Sequence, residues 1–206
     1  MRSNIQTKSN AIKGIAILIL AILISLFAIF LATGLANQAS ATGRSGEQLI
    51  GRKAPEFFAE SINGKPVSLS NYPESPIILN FWASWCPPCR AEAPGLEKIW
   101  RENMDSGLVL LGVNVQDTEE DALKYLKDFG ITFPNILDHG GQITIDYGVT
   151  GLPVTFFINR DGRVLGRWVG AISESGLWNN ARLLLEADEE VDLDVKSNKI
   201  LYKELD

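Results

Sequence analysis

The two cysteines of this chain stand just beyond the end of an apolar run. Residues 76–83 (Pro-Ile-Ile-Leu-Asn-Phe-Trp-Ala) are typical of a short strand that is buried on both faces. Cys86-Pro87-Pro88-Cys89 follows, and residues 87–103 predict a helix because proline is favoured in the first helical turn. The cysteine pair is therefore expected at a strand-to-helix junction, which requires a fold in which helices cover a sheet.

Strands and helices alternate along the rest of the chain. Residues 108–115 predict a second buried strand, and residues 118–129 predict a helix capped by Thr118. Arg160-Asp161-Gly162 is a turn sequence between two further strands. The other expected elements are strands at 154–159 and 163–169, a closing helix at 173–187, and an N-terminal hairpin with strands at 56–59 and 66–69. The pattern predicts an α/β fold with a mixed central sheet flanked by helices.

A long uncharged segment lies near the N-terminus. Residues 14–36 contain 23 residues without a charge, and as a helix they would be about 35 Å long, enough to cross a bilayer. Arg2, Lys8 and Lys13 precede the segment, and no acidic residue does. The positive-inside rule therefore predicts one transmembrane helix with its N-terminus in the cytoplasm and the rest of the chain outside it, in the periplasm or on the outer face.

A cleavable signal peptide is the alternative to this anchor. Ala39-Ser40-Ala41 resembles a small-residue cleavage site, but the apolar run exceeds the usual core of about 7–15 residues. Both interpretations export the domain. The expected organisation is a basic cytoplasmic N-terminus at 1–13, a transmembrane anchor at 14–36, a flexible linker at 37–48, a globular domain at 49–187 and an acidic tail at 188–206.

The charge is divided unevenly along the chain. Residues 1–46 carry +4, and the remainder carries −10, for a net charge of −6. A domain with this acidic balance has no basic stripe that could replace the counterions of a phosphate backbone. The charge pattern therefore argues against binding to nucleic acid.

Two thiols three positions apart in an exported protein are typical of a redox pair. Cys86 is expected to be exposed at the start of the helix. Unpaired N–H groups and the helix dipole favour a thiolate there, so Cys86 is expected to attack the substrate. Cys89 is expected to lie shielded one turn further on, where it can resolve a mixed disulfide.

Other uses of the cysteine pair fit less well. A zinc site needs about four ligands, whereas the chain has two cysteines and one histidine, so no metal or other cofactor is expected. Haem attachment would need a histidine directly after Cys89, where Arg90 stands. An inert structural disulfide remains an alternative, although a disulfide that closes so small a loop constrains the unfolded chain little.

The sequence Phe81-Trp82-Ala83-Ser84-Trp85-Cys86-Pro87-Pro88-Cys89 resembles the active-site signature of thioredoxins, and Gly151-Leu152-Pro153 resembles their cis-proline loop. More narrowly, the chain resembles the membrane-anchored branch of ResA, TlpA and CcmG (DsbE) type, which is associated with cytochrome c maturation. The features that carry this narrower resemblance are the anchor, residues 51–57, Glu92 and an expected central insert at 116–148.

The resemblance implies a role for each matching residue. Cys86 resembles the nucleophile and Cys89 the resolving thiol. A cis bond before Pro153 would turn the neighbouring backbone toward the sulfurs, where an extended substrate can pair with it. The residues implied to contact the substrate are Trp85, Pro87, Gly151, Leu152 and Pro153.

One position departs from ordinary thioredoxins. Asn80 stands where thioredoxins have a buried carboxylate, and an amide cannot relay a proton. Glu92 lies one turn beyond Cys89, and the resemblance implies that it assists proton transfer and tunes the thiols. The alternative is an acid that only complements the helix dipole.

Three functions remain open from the sequence. The first is reduction of exported protein disulfides, as in haem attachment to apocytochrome c, with electrons from a membrane donor. Pro87 and Pro88 favour it, because they lack N–H groups and leave the Cys89 amide as the nearest donor to a Cys86 thiolate. The second is a general disulfide oxidant or a peroxiredoxin-like antioxidant enzyme, since Ala54-Pro55-Glu56-Phe57 is similar to peroxiredoxins. The third is a redox-inert tethered module that binds peptides.

Overall fold

The computed structural model describes residues 17–29 and 45–186, which form two separate units. Residues 17–29 are helical (α1), and residues 45–186 form the α/β domain. Within these two described ranges, no helix is both long and apolar enough to cross a membrane. The predicted N-terminus at 1–13, the ends of the predicted anchor, residues 37–44 of the predicted linker and the predicted tail at 188–206 lie outside the described residues.

The domain is built on a five-stranded mixed sheet beside a two-stranded hairpin. The sheet order is β5-β4-β3-β6-β7, with β3, β4 and β5 parallel to one another and β6 and β7 antiparallel to their neighbours. The strands are β1 Phe58–Glu60, β2 Pro66–Ser68, β3 Ile77–Trp82, β4 Val109–Asn114, β5 Asn135–Leu137, β6 Val154–Ile158 and β7 Val164–Val169. The predicted mixed sheet and the N-terminal hairpin are confirmed.

Helices cover the sheet on both faces. They are α2 Pro87–Asn103, α3 Glu119–Asp128, α4 Gln142–Asp146 and α5 Glu174–Glu186. Thr118 caps α3 as predicted, because its side chain accepts the N–H of Asp121. Helix α2 begins at Pro87, where a missing N–H costs no intrahelical bond.

Alternate residues of β3 contribute to different hydrophobic clusters. Leu79 and Phe81 pack with the hairpin and Tyr147 on one face, whereas Ile78 packs with residues of α2 and α5 on the other. All six residues of β3 are buried, which explains its nearly unbroken apolar sequence. Asn80 is the one polar residue in this strand, and it is buried as well.

Part of the segment predicted as a central insert belongs to the sheet. Besides α3, residues 116–148 contain the short helix α4 and the edge strand β5, which pairs with β4. Three residues are too few to show the alternation by which strands are recognised, so β5 was not predicted from the sequence.

The predicted linker also ends earlier than expected. Residues 45–48 belong to the domain: Ser45 is buried, and the Gly46 N–H donates to the Gly148 carbonyl at 3.1 Å. The small polar composition of this segment is typical of a flexible linker. Here it serves close packing instead, since a Cβ atom on Gly46 would lie 2.2 Å from the Phe156 ring.

Candidate active site

Cys86 and Cys89 form a disulfide where β3 passes into α2, with an S–S distance of 2.08 Å and a Cα–Cα distance of 5.3 Å. Cys86 is the N-cap residue of the helix, and its sulfur accepts the Cys89 N–H at 3.3 Å. Pro87 and Pro88 occupy the first two helical positions and have no N–H to offer. The Cys89 amide therefore remains as the donor to the Cys86 sulfur, as predicted.

Both cysteines are buried in this disulfide form. Cys86 is 3% exposed and Cys89 is 1% exposed, so the expectation that Cys86 is exposed is wrong for this state. The cause is packing, because both sulfurs belong to an apolar cluster with Trp82 and Tyr125 against which Leu152 packs.

The turn before Cys86 is tied to the loop after β4. The Ser84 N–H donates to one carboxylate oxygen of Asp117 at 2.6 Å, and its hydroxyl donates to the other at 2.8 Å. The indole N–H of Trp85 donates to the Gln116 carbonyl at 2.9 Å. Trp85 is nonetheless 57% exposed, which excludes a simple core-packing role for its ring.

Helix α3 supports the pair from one side. The Tyr125 hydroxyl donates to the Cys89 carbonyl at 2.9 Å, and its ring stacks on Trp82 with centroids 4.2 Å apart. The Arg90 guanidinium lies 5.0 Å from the Phe129 ring centroid, a cation–π distance. Tyr125 and Asp117 were not predicted as site residues from the sequence. A polar residue just beyond a strand's carboxyl end, as Asp117 is, was the available signal.

The Leu152–Pro153 peptide bond is cis, as predicted. Leu152 packs against the apolar cluster that contains both cysteines, which brings this loop to the disulfide. Pro153 is buried, and its carbonyl accepts the N–H of Gly170 at 2.9 Å. Gly151 is half-buried at the start of the loop.

Glu92 lies inside the domain and not on the helix surface. It is 3% exposed, and its two carboxylate oxygens accept the Asn80 side-chain amide at 2.8 Å and the Ile172 backbone N–H at 3.0 Å. The other bond from the Asn80 amide nitrogen goes to the Thr155 hydroxyl at 3.0 Å. A solvated acid that only complements the helix dipole is thereby excluded.

Burial controls the protonation of Glu92. Loss of hydration raises the pKa of its carboxyl to about 7, while hydrogen bonds from Ile172 and Asn80 act in the opposite direction. A carboxyl with a pKa near 7 can release and take up a proton at neutral pH. Among the residues that the structure describes, no three His, Cys, Asp or Glu side chains come together to hold a metal ion.

The sequence and the fold are similar to those of known proteins. Residues 50–167 match the AhpC/TSA family. The chain belongs to this family. Over 134 residues, it is 34% identical to thiol-disulfide oxidoreductase ResA from Bacillus subtilis (strain 168), which covers 65% of this chain and 75% of that protein.

Two solved structures extend the comparison. A thiol:disulfide interchange protein of the thioredoxin family from Chlorobium tepidum TLS is 30% identical with a TM-score of 0.59, covering 65% of this chain and 95% of that one. A secreted Mycobacterium tuberculosis disulfide oxidoreductase, homologous to E. coli DsbE, is 26% identical with a TM-score of 0.58, covering 62% and 96%. The chain is therefore a thiol–disulfide oxidoreductase with a thioredoxin-like fold, which confirms the resemblance found in the sequence.

The raised pKa of Glu92 predicts a pH-dependent stability. Between about pH 4.5 and 7 the folded chain holds a proton on Glu92 that the unfolded chain has lost, so stability falls as the pH rises. We expect the oxidised protein to lose up to about 3 kcal/mol of unfolding free energy across this range through Glu92. Urea unfolding from pH 5 to 8 measures the loss.

The control for this measurement is on the same helix. Glu92→Gln should remove this part of the slope, because the amide does not titrate, whereas Glu102→Gln, at an exposed position, should keep it. An unchanged slope in Glu92→Gln would contradict the assignment.

Proposed function

We propose that the protein is an extracytoplasmic reductant of specific exported protein disulfides, with Cys86 as nucleophile and Cys89 as resolving thiol. The observation that carries the proposal is the start of α2, where the Cys86 sulfur accepts the N–H of Cys89 and is followed by two prolines. This arrangement provides a reactive thiol without strongly stabilising its thiolate.

The reaction transfers two electrons from the dithiol to the substrate. The Cys86 thiolate attacks one substrate sulfur, forms a mixed disulfide and releases the other substrate sulfur, which takes up a proton. A deprotonated Cys89 then attacks the Cys86 sulfur, so the second substrate thiol leaves and the Cys86–Cys89 disulfide forms. A membrane electron donor reduces this disulfide again.

The direction of transfer follows from thiolate stability. A strong oxidant has a stabilised reduced thiolate and a potential of about −120 mV, whereas thioredoxin has about −270 mV. Cys86 has one backbone donor where a helix start without proline would offer more. No lysine or histidine lies in the motif to add positive charge. The pair is therefore reducing.

Glu92 is assigned to proton handling in this reaction. It lies on the same helix one turn beyond Cys89, and its carboxyl has a pKa of about 7. A carboxyl of this pKa can accept the Cys89 proton when Cys89 attacks and return one when the disulfide is reduced. The Asn80 amide donates a hydrogen bond to Glu92 and does not titrate, so Asn80 positions the carboxyl.

The substrate is assigned to the surface between Trp85 and the cis-proline loop. Trp85 and Pro87 are exposed directly beside Cys86 in the chain, and Leu152 of the loop from Gly151 to Pro153 packs against the cluster that contains both cysteines. An exported protein with an accessible disulfide in an extended segment is the expected substrate class, and apocytochrome c is the member that the family resemblance suggests.

Residues 14–36 are assigned as a single membrane anchor that leaves the domain outside the cytoplasm. Within residues 17–29, the large apolar side chains are all more than half exposed on their helix. A helix that is apolar on every side needs an apolar surrounding. The basic residues before this segment and the secreted relative support export.

The first test separates the roles of the two cysteines. Cys86→Ser should abolish disulfide exchange, whereas Cys89→Ser should accumulate a mixed disulfide with substrate through Cys86, because the resolving thiol is gone. Non-reducing gels and peptide mapping identify the trapped cysteine. A substrate trapped through Cys89 in the Cys86→Ser variant would reverse the two roles, and exchange without either cysteine would exclude the reaction.

The second test measures the redox poise. We expect a Cys86 pKa above about 5 and a potential nearer −270 mV than −120 mV, from thiolate absorbance and equilibration with glutathione. A lower pKa with a potential above about −150 mV would replace the reductase with an oxidant. A pair that does not exchange at all would favour the redox-inert binding module.

Two proline variants sharpen this test. An N-cap side chain accepts from the second or third helical N–H, so Pro88→Ala supplies a usable donor and Pro87→Ala does not. Pro88→Ala should lower the Cys86 pKa by up to about one unit and raise the potential by about 10–30 mV. Equal shifts in the two variants would show that backbone donors do not set the potential.

The third test concerns the anchor. The full-length chain should stay in the membrane fraction with residues 14–36 attached, and protease added outside the cytoplasm should digest the domain. Ala41→Leu, which removes the small residue at the alternative cleavage site, should change nothing. A soluble product that begins at Thr42 would contradict the anchor and leave export alone.

A further inference from the structure

A short N-terminal segment is fastened to the residues that lead into the cis-proline loop. This segment, residues 45–48, is named the strap. The Thr150 N–H donates to the Ser45 hydroxyl oxygen at 3.0 Å, and the Ser45 and Thr150 hydroxyls are 2.9 Å apart. The Gly46 N–H donates to the Gly148 carbonyl at 3.1 Å. Three hydrogen bonds therefore join the strap to residues 148–150.

The contact is built for close approach. Gly46 has a φ of +69°, and a Cβ atom there would lie 2.2 Å from the Phe156 ring and 2.9 Å from the Tyr147 carbonyl. Gly148 has a φ of +63°, and a Cβ atom there would lie 2.3 Å from the Gln48 side-chain amide. Glycine is needed at both positions for the two segments to come into contact. Such a fit is specific to this pairing.

Ser45 is the buried centre of the contact. It is 1% exposed, and the backbone that it bonds ends directly before Gly151. The loop from Gly151 to Pro153 then packs on the cysteine cluster through Leu152 and returns into β6. Its far side is held by the pairing of the Pro153 carbonyl with Gly170. The strap thus fixes the one end of the loop that the sheet does not hold.

We propose that Ser45 is a positioning residue for the substrate loop, acting through Thr150. The strap holds residues 148–150 in place, so the loop keeps its backbone ready to pair with an extended polypeptide and less conformational freedom is lost on binding. This inference rests on the proposed function, in which that loop receives the substrate. The chemistry at Cys86 and Cys89 does not pass through Ser45.

The test compares two disulfide substrates on the full-length chain. A disulfide-linked peptide needs the loop, whereas a small disulfide such as 5,5′-dithiobis(2-nitrobenzoic acid) needs only the thiols. Ser45→Ala should raise KM for the peptide about three- to tenfold, the effect of losing one or two hydrogen bonds, with kcat and the small-disulfide rate unchanged. The reduction potential should also stay unchanged.

The chain offers a matched control. Ser68 of β2 is also buried, and its hydroxyl lies 2.9 Å from the Ser70 hydroxyl. Ser68→Ala should lower the thermal midpoint about as much as Ser45→Ala while leaving KM for the peptide unchanged. Thr150→Val removes the hydrogen bond between the two hydroxyls by a change at an exposed position. It therefore tests the contact even where Ser45→Ala folds poorly.

Each outcome decides the proposal. An unchanged KM in Ser45→Ala and Thr150→Val, or equal losses with both substrates, would overturn the positioning role. Pro153→Ala separates this failure from that of the proposed function. If Pro153→Ala raises KM for the peptide and the strap variants do not, only the strap inference is wrong. If none of the three variants raises it, the loop is not the substrate site and both proposals fail.

Discussion

The side chain of Glu92 joins four parts of the domain at one buried point. Its carboxylate belongs to α2, its partners are Asn80 of β3 and the backbone N–H of Ile172 before α5, and Asn80 in turn contacts Thr155 of β6. A buried carboxyl is tolerated only where hydrogen bonds replace its lost hydration. Glu92 therefore connects the start of α2, where the disulfide lies, to the central strands. The burial that this connection requires also raises the pKa of the Glu92 carboxyl.

This arrangement couples the stability of the domain to its chemistry. The same desolvation that makes Glu92 costly to ionise also moves its pKa into the neutral range, where a proton can be exchanged. Asn80 leaves Glu92 as the titrating group at this point, because an amide supplies a hydrogen-bond donor without adding a second group that titrates. A chain with two carboxyls at this point would have to divide one proton between them.

The sequence predicts the main elements of the fold because they are strongly patterned. The buried run at β3, the prolines that open α2 and the turn sequence between β6 and β7 each have a local physical cause. Strand β5 has no such local cause, since its three residues are held in place by pairing with β4. The strap was missed for the opposite reason: its composition is that of a linker, and its order depends on partners about 100 residues away.

The candidate site divides in the same way. Cys86, Cys89 and Pro153 can be found from their neighbours along the chain, and a carboxyl at Glu92 can be placed one turn from the pair. The burial of Cys86 could not be predicted, because it depends on Leu152 and on α3, which approach from distant parts of the sequence. Asp117 and Tyr125 likewise act through contacts that form only in the folded domain.

Both outer strands of the sheet are closed by the segment that comes first in the domain. Residues 50–53 bridge to Val164 and Arg163 at the β7 edge, and residues 61–62 bridge to the β5 edge. A chain delivered from its N-terminus presents these segments before either edge exists. Residues 61–62 can dock only after β5 has arrived, and residues 50–53 only after β7, the last strand. Closure of the sheet is therefore governed by contacts of long sequence separation. Until then the edges stay unpaired, which makes the interval between delivery and closure the time at which this domain is most open to aggregation.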